Sequence, residues 1–197
     1  MDTFSSHRLL FRPLSTSDKA IFNYLYTNKK VMRYAGKTYR SKETSRLFKR
    51  QLIANQSAQS AQSGSKKSVM AWVIINQRSK KTVGIVTLSF IITDYNENIL
   101  QPFEQCKAVQ AEVGIMLGVY AQGLGYGKEA IKFIIGYGFN KMLLNKILAF
   151  YSSENLASAA IFKQSGFMKP RGYRDKNPTT CYRYLTTENY KLIGTLG

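Results

Sequence analysis

Glycines set among polar residues, Gln122-Gly123-Leu124-Gly125-Tyr126-Gly127-Lys128-Glu129, carry the plainest chemical signal in this chain. They lie between an apolar run, Val113 to Val119, and an amphipathic run that begins at Ala130. That order predicts a strand, a glycine loop and a helix. A helix start has unpaired backbone N–H groups and the positive end of the helix dipole, so it attracts anions. Glycine lets such a backbone approach a phosphate with no side chain in the way. Spacing then tests which phosphate loop this is. A Walker loop needs Ser or Thr after Gly-Lys, and Glu129 follows Lys128. A dinucleotide fingerprint begun at Gly123 needs glycine where Lys128 stands, and Tyr120, Ala121 and Gln122 separate it from the strand. Glu154, after the next apolar run, could mimic the ribose-binding acid, which weakens that reading without excluding it. On these residues alone a flexible turn also stays open.

The segments around the loop must position it. Arg8 to Leu14 predicts an opening strand ended by Pro13, and Ser15 or Ser17 is placed to cap a helix with Asp18 in its first turn. Ala20, Ile21, Tyr24 and Leu25 share one face of that helix. A second helix is expected from Lys42 to about Ala54, with Leu47, Phe48, Leu52 and Ile53 apolar and the remainder basic. Residues 55–68, mostly Ser, Gln, Ala and Gly, predict a mobile connection. Ala71 to Ile75 and Thr82 to Ile92 predict a hairpin turned by Gln77 to Lys81, and residues 93–108 a long loop near the entry of an acceptor. Glu112 to Leu117 is the strand that feeds the glycines, and Ala130, Ile131, Ile134, Ile135 and Met142 face a sheet from the helix behind them. Ile147 to Tyr151 predicts a buried strand, Asn155 caps a short helix through Gln164, and Tyr182 to Leu185 closes the sheet.

Composition narrows the classes further. One domain spanning 1–197 is expected, with 44% apolar residues and no apolar run of the roughly 18 residues that a membrane helix needs. Met1 to Ser6 lacks the pattern of a secretory signal, so a cytoplasmic location is expected. One histidine, His7, and two distant cysteines, Cys106 and Cys181, argue against a zinc site or a Ser-His triad. The net charge is +18, and residues 1–50 hold twelve basic and three acidic residues. That basic N-terminal surface would attract RNA, acidic protein or a membrane surface, or it is simply a solvated face.

The glycine stretch fits Gln/Arg-x-x-Gly-x-Gly/Ala through Gln122, Gly125 and Gly127. This resembles the pyrophosphate loop of the GNAT-family N-acetyltransferases, which bind acetyl-coenzyme A. Three further stretches agree in order. Arg8 to Leu14 with Asp18 resembles the opening of the ribosomal-protein N-terminal acetyltransferase branch. Asn155, Ser158 and Lys163-Gln164-Ser165-Gly166-Phe167 resemble its later elements, and Leu185 to Tyr190 resembles its close. Residues 55–68 and 93–108 look longer than that family needs, and Pro170-Arg171 stands where an acid often precedes the glycine matched by Gly172.

The resemblance implies an α+β fold: a mostly antiparallel sheet, helices on both faces, and one parallel strand–helix–strand unit at the loop. It implies acetyl transfer from acetyl-coenzyme A, as cosubstrate and with no metal, to a primary amine. Backbone groups of Met116, Leu117, Gly118 and Val119 should meet the pantetheine arm. Those of Gly123, Leu124, Gly125, Tyr126, Gly127 and Lys128 should hold the pyrophosphate. Side chains of Gln122, Tyr126 and Lys128 are candidates to add contacts, although Lys128 could equally be solvated. Asn155 is expected both to cap its helix and to touch pantetheine. Glu112 is the candidate base, with a strand-edge carboxylate or salt bridge as its other reading. Ser158 either hydrogen-bonds the departing sulfur or steadies its helix. Phe162 stands where many relatives place a tyrosine acid. The expected acceptor is a protein N-terminus, ribosomal-protein-like. A small amine such as an aminoglycoside or polyamine, or a non-catalytic coenzyme- or RNA-binding regulator, is the alternative.

Overall fold

A computed structural model describes residues 2–59, 69–92, 109–170 and 179–195. Seven strands form one sheet in sequence order: β1 (Phe4–Ser5), β2 (Leu9–Pro13), β3 (Val69–Asn76), β4 (Thr82–Ile92), β5 (Val109–Leu117), β6 (Lys146–Ser152) and β7 (Thr180–Thr186). Every neighbouring pair is antiparallel except β5 and β6. A parallel pair cannot be closed by a tight turn, and the crossover here is the helix α4 (Tyr126–Asn140).

The central strands are covered on both sides, which is why Ala71, Trp72, Val73 and Ile74 are buried in succession rather than alternately. One face packs Trp72, Val86, Ala111 and Ile147 against Ile131, Ile134 and Ile135 of α4 and Phe162 of α5 (Leu156–Gln164). The other packs Val73 and Ile85 against Phe22 and Leu25 of α1 (Lys19–Thr27) and Phe48 of α3 (Ser41–Gln59). A short α2 (Lys29–Met32) sits between α1 and α3, and α6 (Thr187–Thr195) follows β7. Each fully buried isoleucine contributes about 2 kcal/mol of transfer free energy.

The expected turn, hairpin and glycine-loop order are present, but three helical expectations need correction. Phe22, not Ala20, enters the core from α1, because its ring stacks on Tyr26 at 4.4 Å and meets Phe48 at 5.1 Å. Ile53, expected on the apolar face of α3, is 61% exposed. That helix also runs to Gln59, five residues into the stretch expected to be a loop. Tertiary bonds explain the extension. Asn55 accepts the Ala71 N–H at 2.8 Å and donates to its carbonyl at 2.9 Å, and Gln51 donates to the Val69 carbonyl. Residues 60–68 and 93–108, and Arg171 and Gly172 of the Pro170-Arg171 departure, fall outside the described residues. Met142 lies past the end of α4 and still packs, partly buried, on the core.

The opening strand is tied to the first helix by a charged pair. Arg12 donates to both carboxylate oxygens of Asp18 at 2.7 and 2.9 Å, and Ser15 adds its N–H and hydroxyl. Burial raises the Asp18 pKa, but the Arg12 and Ser15 hydrogen bonds outweigh it and leave the carboxyl below its ordinary value. Asp18 is therefore ionised and structural.

Candidate active site

The site begins where two strands part. The parallel register of β5 and β6 runs Gln110↔Lys146, Ala111↔Ile147 and Glu112↔Leu148, and stops there. Strand β5 continues five residues further, to Leu117, still in register with β4. Ladder bonds alternate along an antiparallel pair. Gly118 donates its N–H to Val83 at 2.9 Å, so Met116 and Gly114 bond toward β4 in the same phase. Ile115 and Leu117 consequently present their backbone to the side from which β6 has departed. Of the four residues expected to meet a pantetheine arm, Leu117 is the one aimed there. The Gly118 N–H is taken by Val83, and the Val119 N–H donates to the Tyr24 hydroxyl at 3.4 Å.

Past β5 a short 3-10 turn, Val119–Ala121, leads to the loop. Gly123 and Gly125 have φ of +76° and +79°, the left-handed region that glycine enters at no steric cost. Gly125 is the N-cap of α4, so the first-turn N–H groups of Tyr126, Gly127 and Lys128 point out of the helix end. A Cβ on Gly127 would lie 3.0 Å from Ile161 of α5 and 3.5 Å from Leu117 of β5. Glycine thus lets helix start, strand end and α5 converge on one point.

Several expected side chains have partners here. Gln122 donates to the Leu117 carbonyl at 3.1 Å, folding the loop back on the strand. The Tyr126 hydroxyl accepts from Asn76 at 2.8 Å, and the Arg8 guanidinium lies 4.8 Å from its ring centroid. Lys128 is exposed. Asn155 caps α5 by accepting the Ser158 N–H at 3.1 Å, as expected of a cap, and Ser158 is half-buried in that first turn. Phe162 is in the core, stacked on Tyr151 at 5.5 Å with Phe167 edge-on at 5.1 Å.

Glu112 points to the opposite face from Ala111 and Val113, the face that α1 and α3 cover over β2–β4. Burial pushes its pKa up. On that same face the register places Leu148 and Phe150 of β6 beside Tyr184 and Tyr182 of β7. Phe150 is 42% exposed and stacks on Tyr182 at 5.0 Å, which stacks on Tyr184 at 6.3 Å. Neither this aromatic row nor Arg8 was visible in local spacing. Both depend on strand register or on contacts over a hundred residues apart. Among the described residues, no three His, Cys, Asp or Glu side chains gather as a metal site would require.

A diverging strand edge beside a glycine-capped helix start offers backbone donors of the kind that suit a phosphorylated, extended carrier. Comparison with known proteins agrees. The family described as Acetyltransferase (GNAT) domain matches residues 8–168, and the chain belongs to that family. These residues therefore form the domain type of acetyl-coenzyme A-dependent N-acetyltransferases. An uncharacterized N-acetyltransferase, p20, from Bacillus licheniformis is 36% identical over 66 residues, a match spanning 34% of this chain and 37% of that relative. Among solved structures, the spermidine N-acetyltransferase of Vibrio cholerae in complex with coenzyme A and spermine superposes with a TM-score of 0.70 at 19% identity. It covers 94% of this chain and 99% of that one. RimL, a ribosomal α-N-protein acetyltransferase in complex with coenzyme A, gives a TM-score of 0.66 at 14% identity, covering 94% and 98%. At such identities the likeness is one of fold.

Proposed function

We propose that this protein transfers the acetyl group of acetyl-coenzyme A to the N-terminal amine of a protein, a ribosomal-protein-like substrate being favoured. The aromatic row beside Glu112 carries the choice of acceptor. On that face β5, β6 and β7 present Leu148, Phe150, Tyr182 and Tyr184 with, among the described residues of these strands, one carboxylate, Glu112, and with Lys146 over the Tyr184 ring at 5.5 Å. A polyamine carries several positive charges and binds best among several carboxylates. One carboxylate beside aromatic rings fits a single amine followed by an apolar side chain.

In this reading the α4 start holds the diphosphate of coenzyme A through the N–H groups of residues 123–128, and Leu117 and Ile115 pair with the pantetheine arm. A backbone N–H there faces the acetyl carbonyl and stabilises the charge that develops on its oxygen. The neutral amine attacks the carbonyl carbon, a C–N bond forms, the C–S bond breaks, and the proton shed by the newly acylated nitrogen passes to the departing sulfur, so that coenzyme A leaves as thiol. Glu112 accepts the ammonium proton, directly or through water. Its raised pKa makes it a better base than an exposed carboxylate. An α-amino group, with a pKa near about 8, asks less of that base than lysine does at about 10.4. Ser158, in the first turn of α5, would donate a hydrogen bond to the departing sulfur.

The outer face of α3 exposes Lys42, Arg46, Lys49 and Arg50 at helical spacing. In the same reading that stripe docks the enzyme near ribosomal RNA. Mass spectrometry of N-terminal peptides, ribosomal proteins, polyamines and aminoglycosides incubated with acetyl-coenzyme A tests the assignment. Acetylation of peptide α-amines is expected, with ribosomal-particle binding that weakens as salt rises. Acetylation of polyamine alone would overturn it.

A further inference from the structure

The N-terminal segment reaches across the molecule to the glycine loop. Arg8 donates its backbone N–H to Glu129 Oε1 and its Nε to Glu129 Oε2, each at 2.7 Å. Its Nη1 donates to the Leu124 carbonyl at 3.1 Å, and its guanidinium covers the Tyr126 ring. Ser6 adds a hydroxyl to Glu129 Oε1 at 2.7 Å. Two residues earlier, Phe4 stacks on Phe133 at 5.3 Å and Tyr137 at 4.5 Å, further along α4. The backbone that presents Ser6 and Arg8 is itself fixed, because Gln77 donates to the Ser6 carbonyl through its side chain and to the Arg8 carbonyl through its N–H.

Glu129 sits in the first turn of α4, where an anion is stabilised by the helix dipole. A free carboxylate there would compete with, and repel, a diphosphate bound to the same turn. Burial raises the Glu129 pKa, but the Arg8 and Ser6 hydrogen bonds outweigh it and keep the group ionised. The carboxylate thus stays charged more readily than an ordinary one and needs a partner.

We propose that Arg8 is a positioning residue for coenzyme binding: it neutralises Glu129 and holds the Leu124–Tyr126 backbone in the shape that receives the diphosphate. This rests on the reading of residues 123–128 as the pyrophosphate loop. Because the pair is only partly buried, with Arg8 42% and Glu129 17% exposed in their side chains, its removal should leave the fold intact.

Calorimetric titration with coenzyme A tests this on Arg8→Ala, Glu129→Gln, their double variant and Gly125→Val. Arg8→Ala is expected to raise the Kd for coenzyme A and the KM for acetyl-coenzyme A about tenfold, with kcat and the acceptor KM within about twofold. The double variant should bind more tightly than Arg8→Ala, since the unpaired carboxylate is gone. A merely structural role would not produce that recovery. If Gly125→Val weakens binding while Arg8→Ala stays within about twofold of the parent, or if the double variant gains nothing over Arg8→Ala, the positioning role is overturned and the loop stands. If Gly125→Val is also silent, the loop reading itself has failed.

Discussion

Glu112 and Asp18 are half-buried and buried carboxylates whose pKa values move in opposite directions, and their neighbours say why. Asp18 has a guanidinium and two Ser15 donors, so it stays charged and serves the fold. Glu112 has burial as the cause of its shift, so its proton is held more tightly than on an ordinary carboxylate. A base must be ionised to act. Turnover should therefore fall as pH drops through the raised Glu112 pKa, and climb as pH increases toward the range where the acceptor amine loses its proton. Glu112→Gln should lower kcat by about a hundredfold, remove the acid-side limb of the pH–rate profile, and leave the Kd for coenzyme A unchanged. Equal rates for variant and parent across the pH range would dismiss Glu112 as the base. Arg8 belongs to the same scale, since one side chain decides whether Glu129 supports the loop or repels its ligand.

At the scale of elements, the convergence of α4, β5 and α5 depends on a missing side chain. Gly127→Val would push branched methyls into Ile161 and Leu117, overpacking a contact where even a lone Cβ would lie a tight 3.0 Å from Ile161. A stability loss of about 2 kcal/mol is expected by thermal or denaturant unfolding, together with weaker coenzyme A binding as α5 is driven from the helix start. Unchanged stability and affinity would mean that the contact can relax freely. The loop and the flanking strand and helix were legible in the sequence because glycine spacing and apolar runs are local signals. Less legible was anything set by packing between distant segments. The low-complexity residues Asn55 to Gln59 read as a linker, yet the bonds of Asn55 and Gln51 to β3 keep them helical. Phe22 displaced Ala20 from the core because an aromatic partner waited on α3. Similarly, of the expected Met116, Leu117, Gly118 and Val119, Leu117 is the one whose backbone faces the gap, because phase along β5 is fixed by pairing with β4, which composition does not reveal.

Across the whole molecule, the sheet divides the labour. Strands β2–β4 are packed by helices on both faces, whereas among the described residues β5–β7 carry helices on one face and the Glu112 face with its aromatic row on the other. The parting of β5 and β6 opens a gap between the two faces, and in the proposed reading a carrier seated from the α4 side would reach through it to an amine on the Glu112 side. Excess positive charge, +18 in all, would attract both a polyanionic carrier and an RNA-bound substrate. No described helix is long and apolar enough to cross a membrane.

The most direct test is a crystal structure of the protein with coenzyme A. Density for the diphosphate on the N–H groups of Gly125 to Lys128, with pantetheine lying along Ile115 and Leu117 between β5 and β6, is the predicted result. Coenzyme A bound elsewhere, with the α4 start unoccupied, would contradict the account.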